Sequence, residues 1–204
     1  MRRPSVLVTF ALSAFAGVVV LTLLWTKISP WTSYPVAVIS HMALERATPM
    51  WVRSVRTAPG LIEVDTTVEV AVDQAGGRRA EISLDADPGR YAYGLPIFLA
   101  LLLAARVAGR ADGRLRRAVV GYLLLLPAQA VSMVMFLLMQ MALAARMDPA
   151  VLRVGGWELE AIVYGYQFGV LVLPTLTPVL VWLWLDRQFF NTVIVQGWKQ
   201  SLAR

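Results

Sequence analysis

Four long apolar stretches, at about 5–25, 91–107, 118–144 and 161–185, decide what this chain can fold into. A helix needs ~20 mostly apolar residues to cross a ~30 Å hydrocarbon core. Each stretch meets or approaches that length, and 91–107 is the shortest. Composition agrees: 58% of residues are hydrophobic, 16% are charged and the mean hydropathy is +0.62. That is too apolar for a soluble domain of this length.

The pI of about 10.2 raises the question of nucleic acid. No basic stripe is interleaved with exposed aromatic residues, so no nucleic-acid partner is expected. The charges segregate by loop instead. Arg2 and Arg3 open the chain. Arg106, Arg110, Arg114, Arg116 and Arg117 stand against Asp112 alone in the middle loop. Arg187, Lys199 and Arg204 stand against Asp186 in the tail. The other two loops are each net negative by one charge. By the positive-inside rule, both termini and the middle loop are cytoplasmic. A long apolar first segment with no small-residue cleavage site before Lys27 and Pro30 reads as a retained anchor, not a signal peptide.

The expected fold is therefore an α-helical polytopic membrane protein of four transmembrane helices. Residues 1–25 form the first. Residues 26–90 form a periplasmic loop holding an interfacial helix and a small antiparallel β module. Residues 91–186 hold three further spans with a basic loop at 106–117, and 187–204 form an amphipathic tail at the inner surface. Within the loop, 31–47 is apolar with aromatic residues at its start and polar positions Ser40, His41, Glu45 and Arg46; it reads as a helix entered through Pro30 and Pro35. From Leu61 the period changes to two. Ile62, Val64, Thr66, Val68, Val70 and Val72 alternate with Glu63, Asp65, Thr67, Glu69, Ala71 and Asp73, the mark of a half-buried strand. Gln74 to Gly77 supply a turn and 79–85 a second strand. Residues 51–57 offer a third before Ala58-Pro59-Gly60. The chain contains no cysteine, so no disulfide supports this loop.

No ionisable residue lies inside any expected span, although proton relays and ion paths usually show one. Amides and hydroxyls remain. Gln129, Ser132 and Gln140 fall near one face of the third span, with Met133 and Phe136 and after Pro127. On the fourth span, Gly165, Tyr166, Gln167 and Gly169 make a small-xxx-small pattern that admits a close neighbour. Pro174 and Pro178 free backbone carbonyls beyond it, with Thr175 and Thr177 nearby. The set reads first as helix packing. The competing reading is a site where Gln140, Gln167, Tyr164 and Tyr166 meet a lipid or a peptide. Tyr91, Tyr93, Trp157, Tyr164 and Tyr166 also fit an aromatic belt.

Catalytic candidates are thin. His41 is the sole histidine, which excludes a multi-histidine metal site. Glu158 and Glu160 suit the start of a helix, and Asp85 and Asp87 suit a turn. The acidic positions Glu63, Asp65, Glu69 and Asp73 lack the oxygen-rich loop of a cation site and read as a solvated face. No nucleophile, base and orienter assemble, so neither catalytic residues, nor a metal, nor a cofactor is expected.

Three segments, in order, resemble the exosortase H-associated membrane proteins. They are Tyr91-Ala92-Tyr93-Gly94-Leu95-Pro96 with the apolar run 99–104; Leu125-Leu126-Pro127-Ala128-Gln129; and Tyr164-Gly165-Tyr166-Gln167 with Leu173-Pro174-Thr175-Leu176-Thr177-Pro178. The resemblance is clearest over 87–189. It implies an inner-membrane protein that accompanies an exosortase, the membrane enzyme that processes C-terminal sorting signals of exported proteins. Exosortases rely on a Cys with Arg and His partners, so this cysteine-free chain resembles the companion and not the enzyme. The leading expectation is a non-catalytic accessory subunit whose partners are membrane lipid and an exosortase-type enzyme or its exported substrate. The alternatives are a structural or assembly subunit of a pilus, secretion or polysaccharide complex, and a small transporter or lipid-handling protein with a cavity lined by Gln129, Gln140 and Gln167.

Overall fold

The computed structural model describes residues 6–72, 78–107 and 113–191. In chain order these form α1 (Val6–Thr32), α2 (Tyr34–Ala47), β1 (Val52–Ala58), β2 (Leu61–Val72), β3 (Arg78–Ala86), a 3₁₀ turn (Pro88–Tyr91), α3 (Gly94–Val107), α4 (Arg114–Ala144), α5 (Pro149–Leu152), α6 (Gly156–Tyr166), a π-helical segment (Gln167–Val172), α7 (Leu173–Leu185) and α8 (Arg187–Phe189). Three helical runs are long and apolar enough to cross a membrane: Val6–Thr32, Arg114–Ala144 and the continuous Gly156–Leu185. The second expected span, α3, has 14 residues. At ~1.5 Å per residue it covers only ~21 Å.

The chain divides into two compact units. One comprises Met1–Ile28, Tyr93–Leu125 and Thr175–Arg204. Its helices approach through small residues. A Cβ added to Gly17 would sit 3.2 Å from Ala100 Cβ, and one added to Gly121 would strike the ring of Phe98, which is fully buried. Phe10 stacks on Trp182 at 5.6 Å between ring centroids and meets Phe189 at 5.5 Å. Arg117 at the start of α4 donates from Nη1 to Oδ1 of Asp186 at 2.9 Å. Phe189, within the expected amphipathic tail, is buried in that aromatic cluster. Residues 192–204 of the expected tail helix lie outside the described residues.

The other unit comprises Ser29–Ala92 and Leu126–Pro174. Here Pro30 departs from expectation. It stands inside α1, which runs on to Thr32, and does not mark the entry to α2. The ladder resumes beyond it because Ser33 donates both its N–H and its hydroxyl to the Ser29 carbonyl, at 2.9 and 2.6 Å. Pro35 does open α2, in the first turn where its missing N–H would be unpaired anyway. α2 packs against β1, buries Val36, Ala37 and Leu44, and bonds to α4 through Ser40 Oγ and the Ala130 carbonyl at 3.4 Å.

The sheet has the order β1-β2-β3, antiparallel throughout. Ile62, Val64, Thr66 and Val68 are all buried, so the period of two marks the inward face of β2 as expected. Both ladders carry an irregularity. In β1 the register shifts between Val52 and Ser54, so Arg53 is an extra residue. That bulge keeps both Val52 and Val55 opposite inward-facing residues of β2, although their spacing is odd. In the β2–β3 ladder, Asp65 pairs with Ser83 and Glu69 with Glu81, so Thr66, Thr67 and Val68 stand opposite Ile82 alone. The Thr66 hydroxyl fills the gap. It donates to the Ile82 carbonyl at 2.8 Å and accepts from the Val68 N–H at 3.3 Å.

Candidate functional site

The polar and small residues singled out on the last two expected spans fall mostly within the second unit. Gln129 and Ser132 are buried on α4. Gln129 Nε2 donates to the Ala92 carbonyl at 3.3 Å, which ties α4 to the residue after the 3₁₀ turn. Ser132 donates to the Ala128 carbonyl of its own helix at 2.9 Å. Gln140 is half-buried. Beside this stretch of α4 run α6 and the π segment. A Cβ on Gly165 would come 2.7 Å from Met135 Sδ, and one on Gly169 would lie 3.3 Å from Met135 Cβ and 3.6 Å from Ser132 Cα. Both glycines therefore admit α4 at a distance a larger side chain would prevent. Tyr166 is half-buried and Gln167 exposed.

The π segment follows from the sequence just after it. Pro174 has no N–H, and its ring would clash with the carbonyl four residues earlier in a regular helix. Widening to i→i+5 bonding, as in the 173→168 backbone bond, relieves that clash. Pro174 is buried at the end of this unit; Pro178, also buried, belongs to the other. Within this unit, four of the nine candidates make contacts that join its elements. Ser132, Gly165 and Gly169 meet around Met135, and Gln129 acts on the neighbouring turn.

A groove of about 700 Å³ lies elsewhere in the same unit. Met50, Trp51 and Thr67–Val70 form one side, and residues 144–153 the other. Trp51 Nε1 donates to the Leu152 carbonyl at 2.7 Å and ties the two walls together. The second wall contains three non-glycine residues at positive φ: Arg146 at 55°, Met147 at 56° and Arg153 at 55°. Asp148 caps α5 by accepting from the Ala150 N–H at 2.8 Å. None of Gln129, Gln140 and Gln167 lines this groove. Sequence reasoning missed it, and the one local signal was Asp148-Pro149, a cap followed by a proline suited to a first helical turn.

The remaining charged groups have local roles. Asp65 accepts from Ser54 Oγ at 2.8 Å and Ser83 Oγ at 2.9 Å. Those two hydroxyls, helped by Arg56 and Arg53 against a smaller desolvation effect, hold its carboxyl below the usual range. Arg53 pairs with Glu81 through both guanidinium nitrogens. Glu158 accepts from the Gly155 N–H at 2.7 Å at the start of α6, and Asp87 from the Gly89 N–H at 2.8 Å. His41 pairs with Glu45 one turn on, at 2.9 Å. Among the described residues, no group of three or more His, Cys, Asp or Glu could hold a metal.

No curated protein and no solved structure matches the chain. A family match does, under the description Exosortase H-associated membrane protein, and it extends from residue 4 to residue 189. That range takes in the helical segments from α1 onward and the sheet between them, well beyond the three short motifs that suggested it. With 4–189 of its 204 residues matched, the chain belongs to the exosortase H-associated membrane protein family.

Proposed function

We propose that the chain is a non-catalytic accessory subunit of an exosortase-type protein-sorting system in the bacterial inner membrane. The family match over 4–189 is the observation that carries this reading. In it, α1, α4 and the run from α6 to α7 cross the bilayer, and α3 makes a fourth, short crossing. Snorkelling by Arg106 and local thinning of the bilayer accommodate a short span at modest cost. Both termini and the arginine-rich loop then face the cytoplasm, and the sheet module faces the periplasm. The residues around Met135 serve helix packing, because the glycines are in close approach and the Gln129 and Ser132 side chains are bonded to backbone. The sheet, standing on α2, presents a surface to the exosortase or to its exported substrate.

The test is co-expression with an exosortase of the same bacterium, followed by purification in a mild detergent. Co-elution at fixed stoichiometry is expected, together with impaired processing of the exported substrate when this chain is deleted. A solitary monomer and unchanged processing would overturn the proposal.

A further inference from the structure

β2 is longer than the strand that flanks it on one side. Towards β1 its ladder ends at the Val52–Thr66 pair, with one further backbone bond from the Thr67 N–H to the Trp51 carbonyl at 2.9 Å. Towards β3 it continues to the Val72–Arg78 pair. Met50 and Trp51, which lead into β1, line the groove together with Thr67–Val70. The groove thus takes the place that a longer β1 would fill.

The opposite wall is built from helix ends: Arg146 and Met147 follow α4, and Arg153 caps α5 in the left-handed region. A non-glycine residue in the left-handed region costs on the order of 1 kcal/mol or more and persists only where its surroundings enforce it. Three such residues occur between Arg146 and Arg153. Backbone bonds enforce two of them: Arg146 N–H to the Leu143 carbonyl at 2.9 Å, and Met147 N–H to the Ala142 carbonyl at 2.8 Å.

The chemistry of the slot selects its occupant. A strand edge presents alternating N–H and C=O groups at ~3.3 Å per residue, which only another extended backbone can match along its length. Glu69, Arg146, Asp148 and Arg153 also line the groove. An acyl chain would desolvate those charges and return nothing. We infer that this groove binds an extended polypeptide segment as an added strand along Thr67–Val72 of β2. Under the accessory reading above, that segment comes from an exported protein; the site itself stands independently of that source.

The full chain in lipid nanodiscs can be titrated with a fluorescent peptide of alternating threonine and valine between serine ends. A second peptide of the same sequence carries N-methyl groups along one backbone edge, which blocks strand pairing and leaves composition unchanged. Val151 lines the groove and is 41% exposed, so Val151→Trp can fill the slot from the far wall while the sequence of β2 stays unaltered. The unmodified peptide should bind, with affinity at least about tenfold lower after methylation and about tenfold lower in Val151→Trp at an unchanged melting temperature. Ala150→Tyr, on the same wall, serves if Val151→Trp fails to fold. Equal binding of the two peptides, no binding of either, or full binding by the filled variants would overturn the assignment. So would a dimer of the chain that both variants disperse, which would give the groove to a second copy. Because no exosortase is present, failure here leaves the accessory reading intact, and failed co-elution leaves this site intact.

Discussion

Gly121 and Gly165 meet different neighbours, and the difference sets what each tolerates. An alanine at 121 must displace the fully buried ring of Phe98, whereas at 165 it meets the flexible end of Met135. Gly121→Ala should therefore destabilise by about 1–3 kcal/mol and Gly165→Ala by less, measured as thermal unfolding in detergent. At the far end of α4, Arg117→Ala would remove the guanidinium that bonds the buried Asp186 carboxylate at 2.9 Å. A loss of about 3 kcal/mol is expected, only partly recovered by lysine, which lacks the guanidinium fork. The sequence offered no hint of this pair: the two residues are 69 positions apart and enter the charge pattern only as members of separate loops. Asp65 supplies a pH dependence. Its folded carboxyl titrates below its unfolded value of 3.8, so its contribution to stability is complete above that pH and is lost as pH falls through the folded value. Ser54→Ala removes the hydroxyl that lowers it most, so the carboxyl titration, followed by NMR, should move up towards the usual range and the acid-side fall in Tm attributable to Asp65 should shrink.

Among the elements, β2 was the most readable, because its buried residues alternate without a break from Ile62 to Val68. β1 was less so, since the bulge at Arg53 breaks the alternation that sequence patterns rely on. α1 was misjudged at its end: proline read as a boundary, but the two bonds from Ser33 to the Ser29 carbonyl carry the helix past it. The groove left only the Asp148-Pro149 cap as a mark in the sequence. Left-handed arginine and methionine residues have no sequence signature comparable to glycine, and the strand edge depends on where a neighbouring strand stops. Thr66→Val tests how much the β2 bulge relies on one hydroxyl. It removes both the bond to the Ile82 carbonyl and the acceptor for the Val68 N–H, in a residue that is 1% exposed. The variant should lose about 1–3 kcal/mol, whereas Thr66→Ser should retain most of the stability.

For the molecule as a whole, absence of cysteine makes any introduced thiol a unique reporter. Under the proposed topology, cysteine at exposed Ser83 should react with an impermeant maleimide in intact spheroplasts, and cysteine at exposed Arg116 only after lysis. Protection of Ser83→Cys, or reaction of Arg116→Cys before lysis, would reverse the proposed orientation. The apolar stretches made the membrane class legible, and the three ordered motifs at 91–104, 125–129 and 164–178 made the family so. The way distant segments combine into two units was not, because helix-to-helix contacts such as Gly165 against Met135 leave only weak marks in one sequence. Because the bulge in β2 takes up two extra residues and not one, the inward face of the strand stays in phase on either side of it. Length changes at this point should therefore obey a parity rule. Adding or removing a pair of residues between Asp65 and Glu69 keeps Val64 and Val70 on one face. A single-residue change would turn Glu69 towards the core unless a one-residue bulge like that at Arg53 took it up, so among natural variants of this chain changes in twos should predominate here.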